Sequence, residues 1–396
     1  MRKIKSLVFV LLSGFTALAF SQQPLTPQQA LARLFQQSPV QSEWFAPAFL
    51  NQIPMQQVDS IVQQCTATLG KFVRVDVAAD GLTLVMEHGT VSVKIHLDAQ
   101  QRIDGLGFGL PQPAKPASVT DVMKEFSALP GKVSAAATED GKPLASLHPD
   151  DALAVGSAFK LAILAAAQEQ AVAGKHRLDE VHSLDQSWKS LPSGVLQSWP
   201  AGTPLTLATL ENEMISVSDN TAADAMLSIT GREEVEKFAP RNRPFLSTRE
   251  TFVLKAQGNE ALLDRYRKAD ETHRRAMLGE IDAQSLPSAA QFGEAPVATD
   301  VEWFFTGAEL CGLIEKIASA DAMHINPGLA KPTDWSQIAF KGGSEGGVLN
   351  LTTALTGKNG KHYCATATWN NTEPLDQNRF FTIYQELLAS LAAAAQ

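Results

Sequence analysis

The sequence predicts an α+β protein in two parts: N-terminal helices leading into a curved antiparallel sheet, then a longer part in which a sheet and helices share one chain. Three observations carry this. Helical patterns give way to four strand-like runs before residue 109, a proline-rich stretch follows, and in the remaining chain strand-like runs lie on both sides of an apolar helix. With 396 residues and 44% hydrophobic content there is length for two cores, and a charged fraction of 19% argues against disorder.

Taken in order, Arg2, Lys3 and Lys5 precede an apolar run at 7–20, and the small residues Ala17, Ala19 and Ser21 offer a cleavage point. This is the pattern of a secretory signal peptide over 1–21, placing the mature chain in the periplasm or outside the cell. The run is short of the ~20 apolar residues that span a bilayer, and no later segment spans one. Thr26-Pro27 starts a helix, Ser42 caps a second, and Pro54 starts a third that ends near Gly70. Strand runs at 72–77, 82–87, 91–97 and 103–108 are broken by Asp80-Gly81, His88-Gly89 and 98–100, the composition of hairpin turns. These elements form an N-terminal module over 22–109. The linker 110–118 carries three prolines and is expected to be semi-rigid.

The second domain, 119–396, should begin with a helix at Val122, Met123, Phe126 and Leu129, then strands at 133–138 and 144–147 around Asp140-Gly141. From Phe159 to Ala167 all but Lys160 are apolar, and Gly174 is a natural stop, so this helix belongs in a core. Strands at 348–355 and 363–369 close the sheet, with a terminal helix at 380–394 packed on it.

Chemistry concentrates at three places. Ser157-Ala158-Phe159-Lys160 puts a lysine three residues after a serine, on one helical face. Serine is a weak nucleophile until a neighbour takes its proton. Lys160 can do so only if desolvation and a second cation lower its pKa, and Lys341 is a candidate for that cation. Ser218-Asp219-Asn220 falls between helical patterns at 206–216 and 221–230 and reads as a short interhelical loop. There Ser218 is placed to relay a proton and the Asn220 amide to hold Lys160 and a substrate carbonyl. Lys341-Gly342-Gly343-Ser344 reads as the end of an edge strand, its glycines allowing substrate and backbone to approach. The backbone amides of Ser157 and Ser344 would form an oxyanion hole. Alone, Ser-Asp-Asn is a helix-capping sequence and Lys-Gly-Gly a turn; the order and setting of all three carry the reading.

In that order they resemble the signature of the serine β-lactamase and penicillin-binding-protein superfamily, and residues from about Val119 onward look like its class A β-lactamase-like domain, a sheet beside an all-α subdomain. The resemblance implies Ser157 as nucleophile, Lys160 and Ser218 as proton-transfer partners, Asn220 as substrate and lysine anchor, Gly343 and Ser344 as substrate-binding strand, and Lys341 as a carboxylate-facing cation. Two departures matter. Gly342 stands where Thr or Ser is usual, removing one carboxylate-binding hydroxyl, and no Glu-x-x-Leu-Asn follows the second motif to activate a deacylating water. In its place is an insertion at 245–298, whose Glu250, Glu280 and Glu294 read as surface carboxylates sooner than bases. The N-terminal module resembles a steroid-isomerase-like, cystatin-type cone. A two-domain family that includes a clavulanic acid biosynthesis cluster protein and a mycobacterial lipoprotein joins such a module to a class-A-like domain with esterase-type activity. His88 and His96 read as strand-edge residues, and the module's expected role is support or substrate gating.

The expectation is a secreted serine hydrolase acting on a small-molecule ester, amide or β-lactam, esters favoured. The alternatives are a β-lactamase or penicillin-binding-type peptidase, and a non-enzymatic protein that binds a β-lactam or peptidoglycan fragment. A net charge of −9 disfavours nucleic acid. The histidines lack ligand spacing, so neither metal nor other cofactor is expected. Cys65, Cys311 and Cys364 leave both buried thiols and a Cys311–Cys364 disulfide open. The oligomeric state is not legible.

Overall fold

The computed structural model describes residues 25–113 and 117–395. The signal-peptide segment and the middle of the linker lie outside the described residues. The chain divides between Lys115 and Pro116 into two compact units.

In the first unit the helix Pro27–Gln36 is capped as its sequence implies. The Thr26 hydroxyl accepts from the Gln29 amide, and the Gln29 side chain accepts from the Thr26 amide. The second helix departs from expectation: Ser42–Trp44 is a single 3-10 turn without a side-chain cap, and the helix itself is only Pro47–Leu50. Ala46 and Pro47 reset the chain there, and Pro47 is suited to a first helical position. Met55–Leu69 ends at Gly70, whose φ of +77° is a conformation L side chains rarely adopt. Four antiparallel strands follow as a meander, Phe72–Ala78, Gly81–Met86, Gly89–Leu97 and Ile103–Phe108. The helices cover its apolar face through Leu31, Leu34, Phe49, Val58 and Leu69 against Leu84, Met86, Val91 and Ile103. The linker starts later than expected, because Gln112–Pro113 pairs with the Gly89–Thr90 end of the third strand.

The second unit is built on a five-stranded antiparallel sheet. Its spatial order is Gln337–Glu345, Val348–Thr356, His362–Asn370, Lys132–Glu139, Lys142–Leu147. One face is covered by Val119–Ser127 and the C-terminal helix Gln377–Ala394, through Phe126, Phe380, Tyr384 and Leu387 against Val133, Tyr363 and Trp369. The other face meets Gly307–Lys316, which packs on the apolar helix Lys160–Val172, around which the remaining helices gather. That helix buries residues all round, as expected of a sequence apolar on every face.

The cysteines settle into one disulfide and one thiol. Cys311 on the helix Gly307–Lys316 bonds Cys364 on the strand His362–Asn370, with Cα atoms 5.8 Å apart, and Cys65 is buried and free. The bridge spans 53 residues of sequence. By loop-closure entropy, the double variant Cys311→Ala/Cys364→Ala should lose about 4 kcal/mol of stability. Urea denaturation of oxidised protein beside the variant checks this; coincident midpoints would show that the bridge does not constrain the unfolded chain.

Candidate functional site

All three motifs converge on one cleft of about 520 Å3 in the second unit, lined by Ser157, Ser218, Asn220 and the strand residues Lys341 to Ser344. Ser157 sits in the 3-10 turn Gly156–Phe159 that leads into the helix Lys160–Val172. Phe159 pins this turn from below, stacked on Trp303 at 3.8 Å and edge-on to Phe245 at 5.8 Å. Trp303 in turn donates its indole N–H to the Leu246 carbonyl.

Lys160 has no exposed surface. Its Nζ lies 2.6 Å from the Ser218 carbonyl, 2.7 Å from Asn220 Oδ1, 3.1 Å from Ser218 Oγ and 3.3 Å from Ser157 Oγ. A neutral amine has two N–H groups and one lone pair. The two short contacts use both N–H groups on acceptors that cannot donate, which leaves the lone pair for a hydroxyl proton. Burial, and next the Lys341 ammonium, hold Lys160 well below its ordinary pKa against the pull of Asp224 and Asp219.

The Ser218 hydroxyl bridges the two lysines, with Lys341 Nζ 3.0 Å from its Oγ. Lys341 also donates to the Gly342 carbonyl at 2.5 Å, is 3% exposed, and is brought down to about 7 by burial. Its Nζ is therefore engaged by Ser218 and the Gly342 carbonyl. Ser218 has φ of +60°, a strained backbone for serine that its surroundings must hold. Asp219 does this. Its Oδ1 accepts from the Ala222 amide, capping the helix Asn220–Thr230, and its Oδ2 accepts from the Val195 and Leu196 amides. Asn220 is thus the first residue of that helix rather than the last of the loop. A Cβ on Gly194 would sit 2.1 Å from Asp219 Oδ2, so only glycine admits this loop to the carboxylate. Ser193 adds a hydroxyl bond to the Ser218 carbonyl at 2.7 Å. Asn220 Nδ2 donates to the Leu191 carbonyl at 3.1 Å, leaving one hydrogen for a substrate.

The third motif lies on an edge strand, as expected. Glu345 and Val348 close a two-residue turn as a paired couple, so hydrogen-bond alternation leaves the amide and carbonyl of Ser344 and Gly342 on the free edge. A Cβ on Gly343 would meet Val155 O at 2.1 Å and Ser157 N at 2.5 Å, and one on Gly156 would meet Ser344 N at 3.0 Å. Strand and turn thus approach backbone to backbone, which brings the Ser344 amide beside that of Ser157. At Gly342 a Cβ would lie 3.1 Å from the Phe340 ring, so the ring crowds the space a hydroxyl-bearing residue would use.

Of the three glutamates expected at the surface, Glu250 is not there. It is 1% exposed, paired with Arg232 and bonded to the Ser247 amide in a capping box. Glu280 pairs with Arg265 and remains at the surface. Glu294 lines a small cavity with Ser344 and Glu345. The wall opposite the strand comes from the helix Thr248–Lys255, whose Thr248 and Thr251 line the cleft. Asp224 holds its first turn by accepting from the Thr248 and Arg249 amides, and burial raises Asp224 to about 7. Motif reading passed over Asp224, Ser193, Gly194 and the group Lys255, Glu302 and Glu345. For Glu345 a signal existed: it follows Lys341 and Gly343 at the two-residue spacing of one strand face.

Among the described residues no cluster of His, Cys, Asp and Glu forms a metal site, and no helix is long and apolar enough to cross a membrane. No curated protein matches the chain. Residues 116–278, less than half of it, match the family model for the beta-lactamase enzyme family. Among solved structures, a β-lactamase from Sphaerobacter thermophilus aligns at 17% identity over 70% of this chain and 97% of its own, with a TM-score of 0.50. An ancestral class A β-lactamase aligns at 16% identity over 70% and 100%, TM-score 0.49. The protein PBP-A aligns at 16% identity over 73% and 100%, TM-score 0.45. The family match spans the Ser157 and Ser218 motifs and stops short of Lys341. The second unit has a β-lactamase-like fold, and its segment 116–278 matches the beta-lactamase enzyme family.

Proposed function

We propose that this chain is a secreted serine hydrolase that forms an acyl-enzyme on Ser157 and hydrolyses esters in preference to β-lactams. The observation that carries it is the fully buried Lys160, its two N–H groups committed and its Nζ 3.3 Å from Ser157 Oγ. Lys160 takes the Ser157 proton as Oγ attacks the carbonyl carbon. The amides of Ser157 and Ser344 receive the developing oxyanion, and Ser218, between both lysines, passes the proton to the departing alkoxide. Such a chain needs no carboxylate on the substrate. The hydroxyl missing at Gly342, the Phe340 ring beside it, and a Lys341 that shares its ammonium with Ser218 and the Gly342 carbonyl all weaken the grip a β-lactam carboxylate would need. The Cys311–Cys364 disulfide favours an oxidising compartment, in keeping with the signal-peptide pattern of the sequence.

The test is intact-mass spectrometry over time, with p-nitrophenyl acetate, a penicillin and a cephalosporin, on the mature chain and on Ser157→Ala. An acetyl adduct that forms and clears, together with a β-lactam adduct that persists, is expected, and both should be absent in Ser157→Ala. Rapid clearance of the β-lactam adduct would make the chain a β-lactamase instead. Absence of any adduct or turnover would leave a binding protein.

A further inference from the structure

One carboxylate in the cleft wall is unused by the acylation chain. Lys341, Gly343 and Glu345 share a face of the strand Gln337–Glu345. That face is turned to the nucleophile, since a Cβ on Gly343 would lie 2.5 Å from Ser157 N. Glu345 stands one side-chain repeat further, about 7 Å along the strand. Among the described residues lining the cleft it is the only acid. Its carboxyl accepts from Lys255 Nζ at 2.5 Å, and Lys255 pairs also with Glu302. The side chains of Lys255 and Glu302 are fully buried, while that of Glu345 is 16% exposed, so Glu345 is the member that meets the cleft. Glu302 alone would neutralise Lys255. The second acid is surplus to that pairing, and Glu302 Oε2 is buried without a hydrogen-bond partner.

We infer that Glu345 is the proton acceptor that activates water to hydrolyse the Ser157 acyl-enzyme, with Lys255 and Glu302 positioning its carboxyl at the cleft wall. This rests on the acyl-enzyme reading above and supplies the deacylation residue that the missing Glu-x-x-Leu-Asn would otherwise provide. In the step, water oxygen bonds to the acyl carbonyl carbon as one of its protons passes to the Glu345 carboxylate. The tetrahedral intermediate then collapses, breaking the bond between that carbon and Ser157 Oγ. The proton held by Glu345 passes to Ser157 Oγ as that bond breaks, so Glu345 and Ser157 end as they began and the product leaves as a carboxylic acid.

The groups facing Glu345 set when it can act. They are Lys255 from the helix Thr248–Lys255, Glu302 ahead of the strand Phe304–Phe305, Glu294 across the small cavity, and Lys341 on its own strand, with Lys255 in turn acting on Asp300. Burial first and Glu302 second hold the Glu345 carboxyl well above the usual carboxylate range, against the pull of Lys255. Deacylation therefore rises with pH above neutrality, as more of the carboxyl is ionised.

The experiment follows p-nitrophenyl acetate by stopped-flow burst and by intact mass, in wild type, Glu345→Gln and Glu345→Asp, from pH 6 to 10. In Glu345→Gln the burst should keep its rate while steady turnover falls about a hundredfold and the acetyl adduct persists. The alkaline rise in turnover should vanish with it. A purely structural role would slow burst and turnover together, lower the melting temperature and leave the pH profile in place. Clearance of the adduct at the wild-type rate in Glu345→Gln overturns the inference. If Glu345→Gln does not fold, Glu345→Asp decides: it keeps the charge beside Lys255 but withdraws the carboxyl by one methylene, and wild-type clearance there overturns it equally. A wild-type chain that forms no adduct at all defeats the acyl-enzyme reading itself, an outcome distinct from both.

Discussion

Lys160→Met is expected to fold and to lose acylation of p-nitrophenyl acetate by about a thousandfold, within the range that positioned general bases supply. Methionine nearly matches the volume of the lysine stem and removes an amine that has no exposed surface. The Ser218 carbonyl keeps its bond from Ser193 Oγ, so the principal loss is the partner of Asn220 Oδ1. Leaving that acceptor bare costs about 1–3 kcal/mol, offset by no longer desolvating an amine. The pH profile separates this from simple damage. In the proposed mechanism acylation needs neutral Lys160, so the wild-type rate should climb as pH rises through its lowered pKa, and the residual rate of the variant should lack that acid limb. Stability shows the same linkage. The unfolded chain holds the Lys160 proton up to its ordinary pKa while the folded chain releases it earlier, so wild-type stability rises with pH across that interval. Lys160→Met should lose this part of the slope in urea midpoints measured against pH. Unchanged acylation would remove Lys160 from the mechanism.

What the sequence made legible was whatever depends on spacing along one element. A serine and lysine three apart on a helix start, a strand ending in Lys-Gly-Gly, and a helix apolar on every face each state their setting locally. Thr26 caps its helix as its composition implies. What was hidden depends on contacts across the fold. Glu250 sits in a charged, helix-patterned insertion that resembles a solvated face, yet Arg232, 18 positions earlier, draws it inside. Lys255, Glu302 and Glu345 come from three separate elements and look unremarkable one at a time. Ser42 has the right side chain for a cap, but the chain breaks at Ala46-Pro47 before a helix can extend. The disulfide needed two elements 53 residues apart to be brought side by side, which composition cannot show.

Gly343→Ala tests the close approach on which the oxyanion hole depends. The added methyl would lie 2.1 Å from Val155 O, 2.5 Å from Ser157 N and 2.6 Å from Ala158 N. All three are backbone atoms, so no side-chain rotation relieves the overlap. The edge strand must withdraw from the turn, and the Ser344 amide withdraws with it. Loss of one oxyanion donor typically lowers kcat by about a hundredfold to a thousandfold, and overpacking of this kind costs about 1–3 kcal/mol of stability. Gly342→Ala, one residue away, is the control. Its Cβ would meet the Phe340 ring at 3.1 Å and Asn350 O at 3.2 Å, contacts that a shift of a few tenths of an ångström relieves, and it points away from Ser157. Ester turnover should therefore collapse in Gly343→Ala and change by less than about tenfold in Gly342→Ala, which keeps all oxyanion donors. Equal activities in the two variants would mean that strand and turn do not approach at Gly343, and the oxyanion hole would have to be built from other amides.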